Sequence, residues 1–269
     1  GVDIEYVHRS DRGGYKAGLY TSPHLSDVRE RFRLGDRYID RETFARLATR
    51  IRKVLGPEQI TFFEFCTALA LLWFAESEVD VVVLETGMGG RLDATNVVTP
   101  LVAIITSISM DHEAYLGANL TEVAGEKAGI IKAGVPVISS ATVPEAAAVV
   151  EQTCRERGAA LYVLGRDFDY HDDPDGRWTW KGLAPPLQRT IPGLRCALRG
   201  GYQRQNSSVA IAAALVLGQF GYPLEPAAIT AGVAAVSWPG RMEYFQADIV
   251  REQGELGGAG PDQRWYLLD

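Results

Sequence analysis

An apolar run that ends in an acid and a glycine-rich loop constrains the fold more than any other stretch of the chain. The run VVVL at Val81–Leu84 is followed directly by Glu85, and the loop after it contains Gly87, Gly89 and Gly90. A short continuous apolar run of this kind is typical of a parallel strand buried on both faces. Open α/β sheets bind their ligands beyond the carboxyl ends of such strands. The stretch therefore predicts a ligand site at Glu85.

The pattern of the flanking segments predicts the fold class. Asp40 is placed to cap a helix that ends before Gly56, and Thr61 with Glu64 forms a capping box at the start of a second, apolar helix. Strand-length and helix-length segments then alternate, which predicts an α/β fold with a doubly wound, mostly parallel sheet. Residues 167–201 instead consist of short segments in which apolar and polar residues alternate without a helical period. This pattern predicts a small antiparallel β subregion.

Composition excludes several classes of partner. The 269-residue chain has a formal net charge of −7, which provides no basic field for nucleic acid. It has no apolar stretch of about 20 residues that could span a membrane, and no signal peptide is evident at its amino end. Its three cysteines, Cys66, Cys154 and Cys196, are odd in number and far apart. They indicate a reducing compartment, and we expect the cytoplasm.

Three polar residues at predicted strand ends are candidates for a metal site. Ser22, Glu85 and His112 are distant in sequence, but the fold can bring a hydroxyl, a carboxylate and an imidazole together. Such a set suits Mg²⁺, which prefers oxygen ligands and commonly bridges to phosphate. The residues alone leave simpler interpretations open. Glu85 can be a solvated loop acid, His112 a structural histidine and Ser22 a turn residue.

Other candidates are weaker when taken alone. Lys127 in EKAGIIK can be an ordinary surface lysine, Arg241 can bind a phosphate or form a surface salt bridge, and Asp269 can hold a ribose or simply end the chain. Phe62 is a core residue by default. The chain has no G-x-x-x-x-G-K-[ST] phosphate loop, no convincing dinucleotide-binding G-x-G-x-x-G turn and no G-x-S-x-G elbow.

Taken together, the motifs resemble those of the folylpolyglutamate synthase and dihydrofolate synthase family of the Mur ligase superfamily. The likeness extends over residues 14–269, and its segments occur in the family's order. These segments are GLYTSPHL at 18–25, TFFE at 61–64, ETGMGGRLDATN at 85–96, TSI at 106–108 with DH at 111–112, EKAGIIK at 126–132, GYQ at 201–203 with Asn206, PGR at 239–241 and LLD at 267–269. The resemblance implies a Mur ligase central domain with a P-loop-NTPase-like sheet.

The resemblance also implies roles for individual residues. Mg²⁺ would be held by Ser22, Glu85 and His112, and a second ion by Lys127 if that lysine is carbamylated. The pteroate pocket would include Phe62, Asp93 and Ala94. The nucleotide would be bound by Gln203, Asn206, Arg241 and Asp269. The residues expected to act in catalysis are Lys127, His112 and Arg241.

The implied reaction is ATP-dependent amide ligation. The γ-phosphate of ATP passes to a carboxylate of dihydropteroate or a folate, and L-glutamate then displaces phosphate from the acyl phosphate. ATP and one or two Mg²⁺ ions are the expected cofactors. The expected partners are the small-molecule substrates, and we expect no binding to nucleic acid or to a membrane. The protein is expected to be a monomer. Two alternatives stay open: a non-catalytic remnant that binds folate or nucleotide, and a related Mur-type ligase that adds an amino acid to another carboxylate.

Two departures from the family pattern limit the expected activity. The family carries a phosphate loop before the segment that begins at Gly14, and residues 1–13 do not match it. The family also continues beyond the Leu268-Asp269 motif into a carboxy-terminal glutamate-ligase domain. We therefore expect residues 1–13 to be an unmatched segment and 14–269 to be the central domain. The chain is predicted to be an incomplete and inactive fragment of the ligase.

Overall fold

The computed structural model describes residues 14–110, 117 and 119–239, and the backbone of two further strands. The strands are β1 (Ala17–Tyr20), β2 (Phe32–Leu34), β3 (Arg37–Tyr38), β4 (Val81–Leu84), β5 (Ala103–Ile105), β6 (Val137–Ser139), β7 (Leu161–Val163), β8 (Phe168–Asp172), β9 (Trp178–Gly182), β10 (Thr190–Leu194), β11 (Glu243–Asp248) and β12 (Gln263–Leu268). The α-helices are α1 (Arg41–Leu55), α2 (Phe62–Glu76), α3 (Leu120–Ala128), α4 (Pro144–Arg157), α5 (Tyr202–Leu217) and α6 (Pro226–Ala235). Short 3₁₀ helices lie at Val28–Arg31, Ala94–Val97 and Gly218–Phe220.

Two sheets contain the parallel strands. The first has the order β3-β2-β1-β4, in which β1 runs parallel to β4 and antiparallel to β2. The second has the order β5-β6-β7 with all pairs parallel. In the first sheet Tyr20 is paired with Leu84, so β1 and β4 end side by side. The predicted α/β class with parallel strands is confirmed.

The helices begin where their caps predict. The Asp40 carboxylate accepts a hydrogen bond from the Thr43 amide at the start of α1, and Gly56 caps its end. Thr61 and Glu64 form the reciprocal capping box at the start of α2. The two helices pack over the first sheet around fully buried side chains, which include Tyr20, Phe32, Leu47 and Leu69.

The predicted antiparallel β subregion is present as the sheet β10-β9-β8. Its inner face carries Phe168, Trp178 and Trp180, all at most 1% exposed, in the core that also contains much of α5. The indole Nε1–H of Trp180 donates to the Ser208 carbonyl of α5 at 3.2 Å. Aromatic burial therefore attaches the small sheet to the α/β body.

A cavity of about 610 Å³ separates the two sheets that contain the parallel strands. Its wall includes every residue of β4 and of β5, with Leu71 from α2 and Ala213 and Leu217 from α5. Within the described part of the chain, β4 and β5 each pair with a strand on one side only. The free edges of both strands therefore border one space that has helices nearby.

The remaining strands form a separate two-stranded ribbon. β11 and β12 pair antiparallel, with Glu243 opposite Leu268 and Asp248 opposite Gln263. Among the described residues, no helix combines the length and the hydropathy needed to cross a membrane.

Candidate active site

The ends of β1 and β4 bring the predicted hydroxyl and carboxylate residues together. The Glu85 amide donates to the Tyr20 carbonyl at 2.9 Å and so extends the parallel pairing by one step. The Ser22 amide then donates to Glu85 Oε2 at 2.9 Å. Because parallel strands end at a common edge, two residues separated by 63 positions become neighbours.

Asp93 organises the glycine-rich loop that follows Glu85. Its Oδ2 accepts the amides of Gly87 and Met88 at 2.9 and 3.0 Å. Its Oδ1 accepts the amide and the hydroxyl of Thr95 at 2.9 and 2.6 Å, which caps the 3₁₀ helix beginning at Ala94. Both carboxylate oxygens are therefore engaged in holding the loop, and the half-buried Ala94 follows directly.

The same loop docks on the end of α3. A Cβ at Gly90 would lie 2.8 Å from Ile130 Cγ2 and 2.9 Å from the Glu126 carbonyl oxygen, so the approach requires glycine. The Arg91 amide donates to the Glu126 carbonyl at 2.9 Å, and the Arg91 guanidinium pairs with the Glu126 carboxylate at 2.8 Å. This docking positions the last turn of α3 beside the loop.

Lys127 lies in that last turn and faces the cavity that Glu85 also lines. Gly89 and Thr106 border the same cavity. Ser22 thus contacts Glu85, and Lys127 lines the same cavity as Glu85. His112, Arg241 and Asp269 fall outside the described residues, and their roles stay predictions.

The residues predicted at the nucleotide form a second pair. Gln203 and Asn206 lie in the first two turns of α5, and Asn206 Nδ2 donates to Gln203 Oε1 at 3.3 Å. Gln203 is 3% exposed. Their neighbour Gln205 donates to the carbonyl of Ser140, just beyond the carboxyl end of β6, at 3.4 Å. The start of α5 therefore lies at the strand-end edge of the second sheet.

Phe62 is not a core residue, and an arginine that sequence reasoning missed lies over it. The Phe62 ring is 59% exposed at the start of α2, and Arg31 Cζ lies 5.4 Å from its centroid. Arg31 itself is 8% exposed. The default core interpretation of Phe62 is therefore wrong, because the capping box places the ring at the exposed end of the helix. The sequence carries no clear signal for Arg31, which follows an ordinary charged pair.

A second carboxylate orders the loop after β1. Partial burial opposes ionisation of Glu30, but hydrogen bonds from the amides of Leu25, Ser26 and Asp27 and from the Ser26 hydroxyl outweigh it. The pKa of Glu30 is lowered to about 2. Beneath the loop, burial raises the pKa of Tyr20 to about 12, so this phenol stays neutral.

No group of three or more His, Cys, Asp or Glu side chains suited to a metal ion occurs in the described ranges. The predicted magnesium set is of a different kind. It takes one hydroxyl and one carboxylate, from Ser22 and Glu85, together with His112 and a modified Lys127. Ser22 and Glu85 are neighbours, and hydroxyl and carboxylate oxygens are the donors that Mg²⁺ prefers.

Comparison with known proteins identifies the class. Residues 40–214 match the Mur ligase middle domain, so the chain belongs to that family. The match includes α1, α2, the loop after β4, α3 and most of α5.

Particular relatives are synthases of folate metabolism. The chain is 36% identical over 245 residues to a folylpolyglutamate synthase from Lacticaseibacillus casei. The aligned region covers 88% of this chain and 57% of that protein. It is 37% identical over 246 residues to a dihydrofolate synthase/folylpolyglutamate synthase from Bacillus subtilis, with 87% and 56% covered.

Solved structures agree with the sequence relatives. The apo form of the L. casei enzyme superposes with a TM-score of 0.83 at 34% identity over 90% of this chain and 61% of that one. E. coli FolC in complex with DHPP and ADP superposes with a TM-score of 0.80 at 32% identity over 90% and 56%. The chain thus spans a little over half the length of each of these relatives.

Proposed function

We propose that this chain is the ATP-binding and pteroate-binding part of a ligase that joins L-glutamate to dihydropteroate or a folate. The observation that carries the proposal is the hydrogen bond that the Ser22 amide donates to the Glu85 carboxylate where β1 and β4 end. Glu85 lines a cavity that Lys127 also lines. Complexes of related synthases support it. One structure of this kind is a folylpolyglutamate synthase with AMPPCP and folate, at a TM-score of 0.83 and 35% identity.

In this proposal Ser22 and Glu85, with His112, would hold Mg²⁺, and Lys127, if carbamylated, would hold a second ion. Bound Mg²⁺ would neutralise charge on the transferring phosphoryl group. The proposal is supported by the order of the loop after Glu85, which Asp93 fixes and which Gly90 lets dock on α3. A site fixed in this way loses little freedom when the ligands bind.

The proposed chemistry has two steps. A substrate carboxylate oxygen attacks the γ-phosphorus of ATP, and ADP leaves with the electrons of the broken bond. The amine of L-glutamate then attacks the acyl phosphate, and inorganic phosphate leaves as the amide forms and the amine loses a proton. Arg241 would stabilise the transferring phosphoryl group, and the Phe62, Asp93 and Ala94 pocket would orient the pteroate portion of the substrate. The protein contributes mainly positioning and exclusion of water.

The cavity between β4 and β5 indicates how the site is completed. Both strands present a free edge to it, and α2 and α5 contribute apolar side chains to its wall. A strand placed between β4 and β5 would be buried on both faces, and strands of that kind carry continuous hydrophobic runs. The space therefore suits an added apolar strand. We propose that the complete enzyme inserts a strand here, followed by the phosphate loop that the family carries. In the same proposal, residues 14–269 are the central domain and a carboxy-terminal domain binds glutamate.

Phosphate release tests the proposal. We expect the 269-residue chain to show no glutamate-dependent release of phosphate from ATP in the presence of pteroate. Extension with the amino-terminal and carboxy-terminal segments of the B. subtilis relative should restore ligation. Glu85→Gln in the extended protein should lower kcat at least 100-fold, since the carboxylate is expected to hold the metal.

The matched control is Glu76→Gln, which removes a carboxylate that pairs with Arg46 and Arg50 away from the strand ends. That variant should keep at least half of the rate. A near-normal rate for Glu85→Gln would refute the metal role. Restored binding of folate and nucleotide without ligation would favour the remnant alternative. We also propose that the protein is a monomer and lies in the cytoplasm. Size-exclusion chromatography tests the oligomeric state, and fluorescence imaging of a tagged protein tests the location.

A further inference from the structure

Arg31 is a buried cation without an acidic partner. Its exposed fraction is 8%, and no ion pair within the described ranges includes it. Arg29, in the same 3₁₀ helix, provides the contrast because it pairs with Asp27 at 2.7 Å and is far more exposed. Burial of a charge is unfavourable unless a group of opposite charge compensates it. The buried positive charge of Arg31 is therefore not compensated by an acidic side chain in the described part of the chain.

The contacts that hold Arg31 orient it without neutralising it, and they include a side-chain hydrogen bond with the neutral phenol of Tyr20. Nε–H donates to His24 Nδ1 at 2.9 Å, so the His24 ring accepts at Nδ1 and carries its proton on Nε2. The guanidinium lies over the face of Phe62, a cation–π contact that provides attraction but no counter-charge. The side chain is thus fixed in direction while its charge stays uncompensated.

The position of Arg31 connects it to the candidate active site. Its carbonyl accepts the amide of Thr21 at 3.1 Å, one residue before Ser22. Ser22 in turn contacts Glu85. The Phe62 ring beneath the guanidinium is more than half exposed. A fixed cation and an accessible aromatic face therefore adjoin the strand ends where the proposed ligation takes place.

We propose that Arg31 recognises the negative charge of the aromatic carboxylate that binds against Phe62. The inference rests on the proposed function, since it concerns the same pocket and names the group that selects its ligand. A guanidinium fits a carboxylate through two parallel N–H···O hydrogen bonds, and the exposed ring provides a stacking surface for an aryl group. Arg31 is then a specificity residue for pteroate-type ligands, whose aryl carboxylate is free, and not for folates, in which that carboxyl is already an amide.

A matched pair of ligands tests the inference. Binding of pteroate and of its neutral carboxamide to the 269-residue chain is measured by isothermal titration calorimetry. The wild-type chain should bind the acid at least tenfold more tightly than the amide. Arg31→Gln should bring this ratio close to one, mainly by weakening acid binding. Arg29→Gln, which removes a cation already paired with Asp27, should leave the ratio unchanged.

A second measurement uses the unaltered protein in case Arg31→Gln does not fold. The Nε–H signal of Arg31 in ¹⁵N-arginine-labelled chain should shift on addition of pteroate and stay in place with the amide. Equal affinities of the wild type for acid and amide would overturn the inference and leave the proposed ligase intact. An equal loss of affinity for the acid and the amide in Arg31→Gln would also overturn the inference, because it would indicate that Arg31 has a structural role. Absence of ligation by the extended enzyme with the tenfold ratio preserved would count against the proposed function alone.

Discussion

The loops after β1 and β4 are each organised by one carboxylate, but they are supported differently. Glu30 collects the amides of residues 25–27, and Asp93 collects those of Gly87, Met88 and Thr95. The loop after β4 is also docked on α3 through Gly90 and Arg91. The loop after β1 has exposed residues at Leu25 and Ser26. The same hydrogen-bonding device is thus reinforced by docking on α3 in the loop after β4.

This difference concerns rigidity. The loop after β4 carries Asp93 and Ala94 of the proposed pteroate pocket, and a binding site must hold its geometry within a fraction of an ångström. We expect the loop after β4 to be the more rigid of the two, and substitutions in both loops test this expectation.

The largest effect is expected from Asp93→Ala. The substitution removes four hydrogen bonds to a charged group and should lower the free energy of unfolding by about 3 kcal/mol. Urea denaturation measures the loss, and hydrogen exchange should show faster exchange at the Gly87 and Met88 amides. Asp93→Asn keeps an acceptor and should lose less. Unchanged exchange in Asp93→Ala would contradict the bracing role.

A smaller effect is expected from Gly90→Ala. The added Cβ would approach Ile130 Cγ2 at 2.8 Å and the Glu126 carbonyl oxygen at 2.9 Å, and such overpacking should cost about 1–3 kcal/mol. Thermal unfolding with urea denaturation provides the measurement. Arg91→Met tests the other part of the docking, and loss of its exposed ion pair should cost under about 1 kcal/mol. An equal or larger effect of Arg91→Met would show that the ion pair, and not close packing, docks the loop.

The effect expected from Glu30→Gln should depend on pH. The pKa of Glu30 is lowered from 4.5 to about 2 in the folded chain, so its stabilising contribution is complete above pH 4.5 and is lost as the pH falls towards 2. The difference in stability between wild type and Glu30→Gln should therefore be largest near neutral pH and shrink below pH 4.5. Asp27 titrates in both proteins and cancels from the difference. A difference that grows on acidification would contradict the assignment.

Local signals account for the parts of the fold that were predicted. Helix starts at Asp40 and Thr61 depend on side chains that bond to amides within three residues, so adjacent sequence contains the whole interaction. The strand at Val81–Leu84 has a local apolar signature. The antiparallel subregion is visible in the changed period of residues 167–201. These elements need no distant partner to be recognised.

The order of strands and helices, their caps and the residue types at strand ends can be predicted from the sequence, because each depends on side chains close together in the chain. Only in the folded chain does Ser22 contact Glu85, does Lys127 line the same cavity as Glu85, and does Arg31 lie buried over Phe62. Those contacts depend on which strands pair and in what register. Pairing is chosen by the packing of the whole core, and no single stretch of sequence contains it.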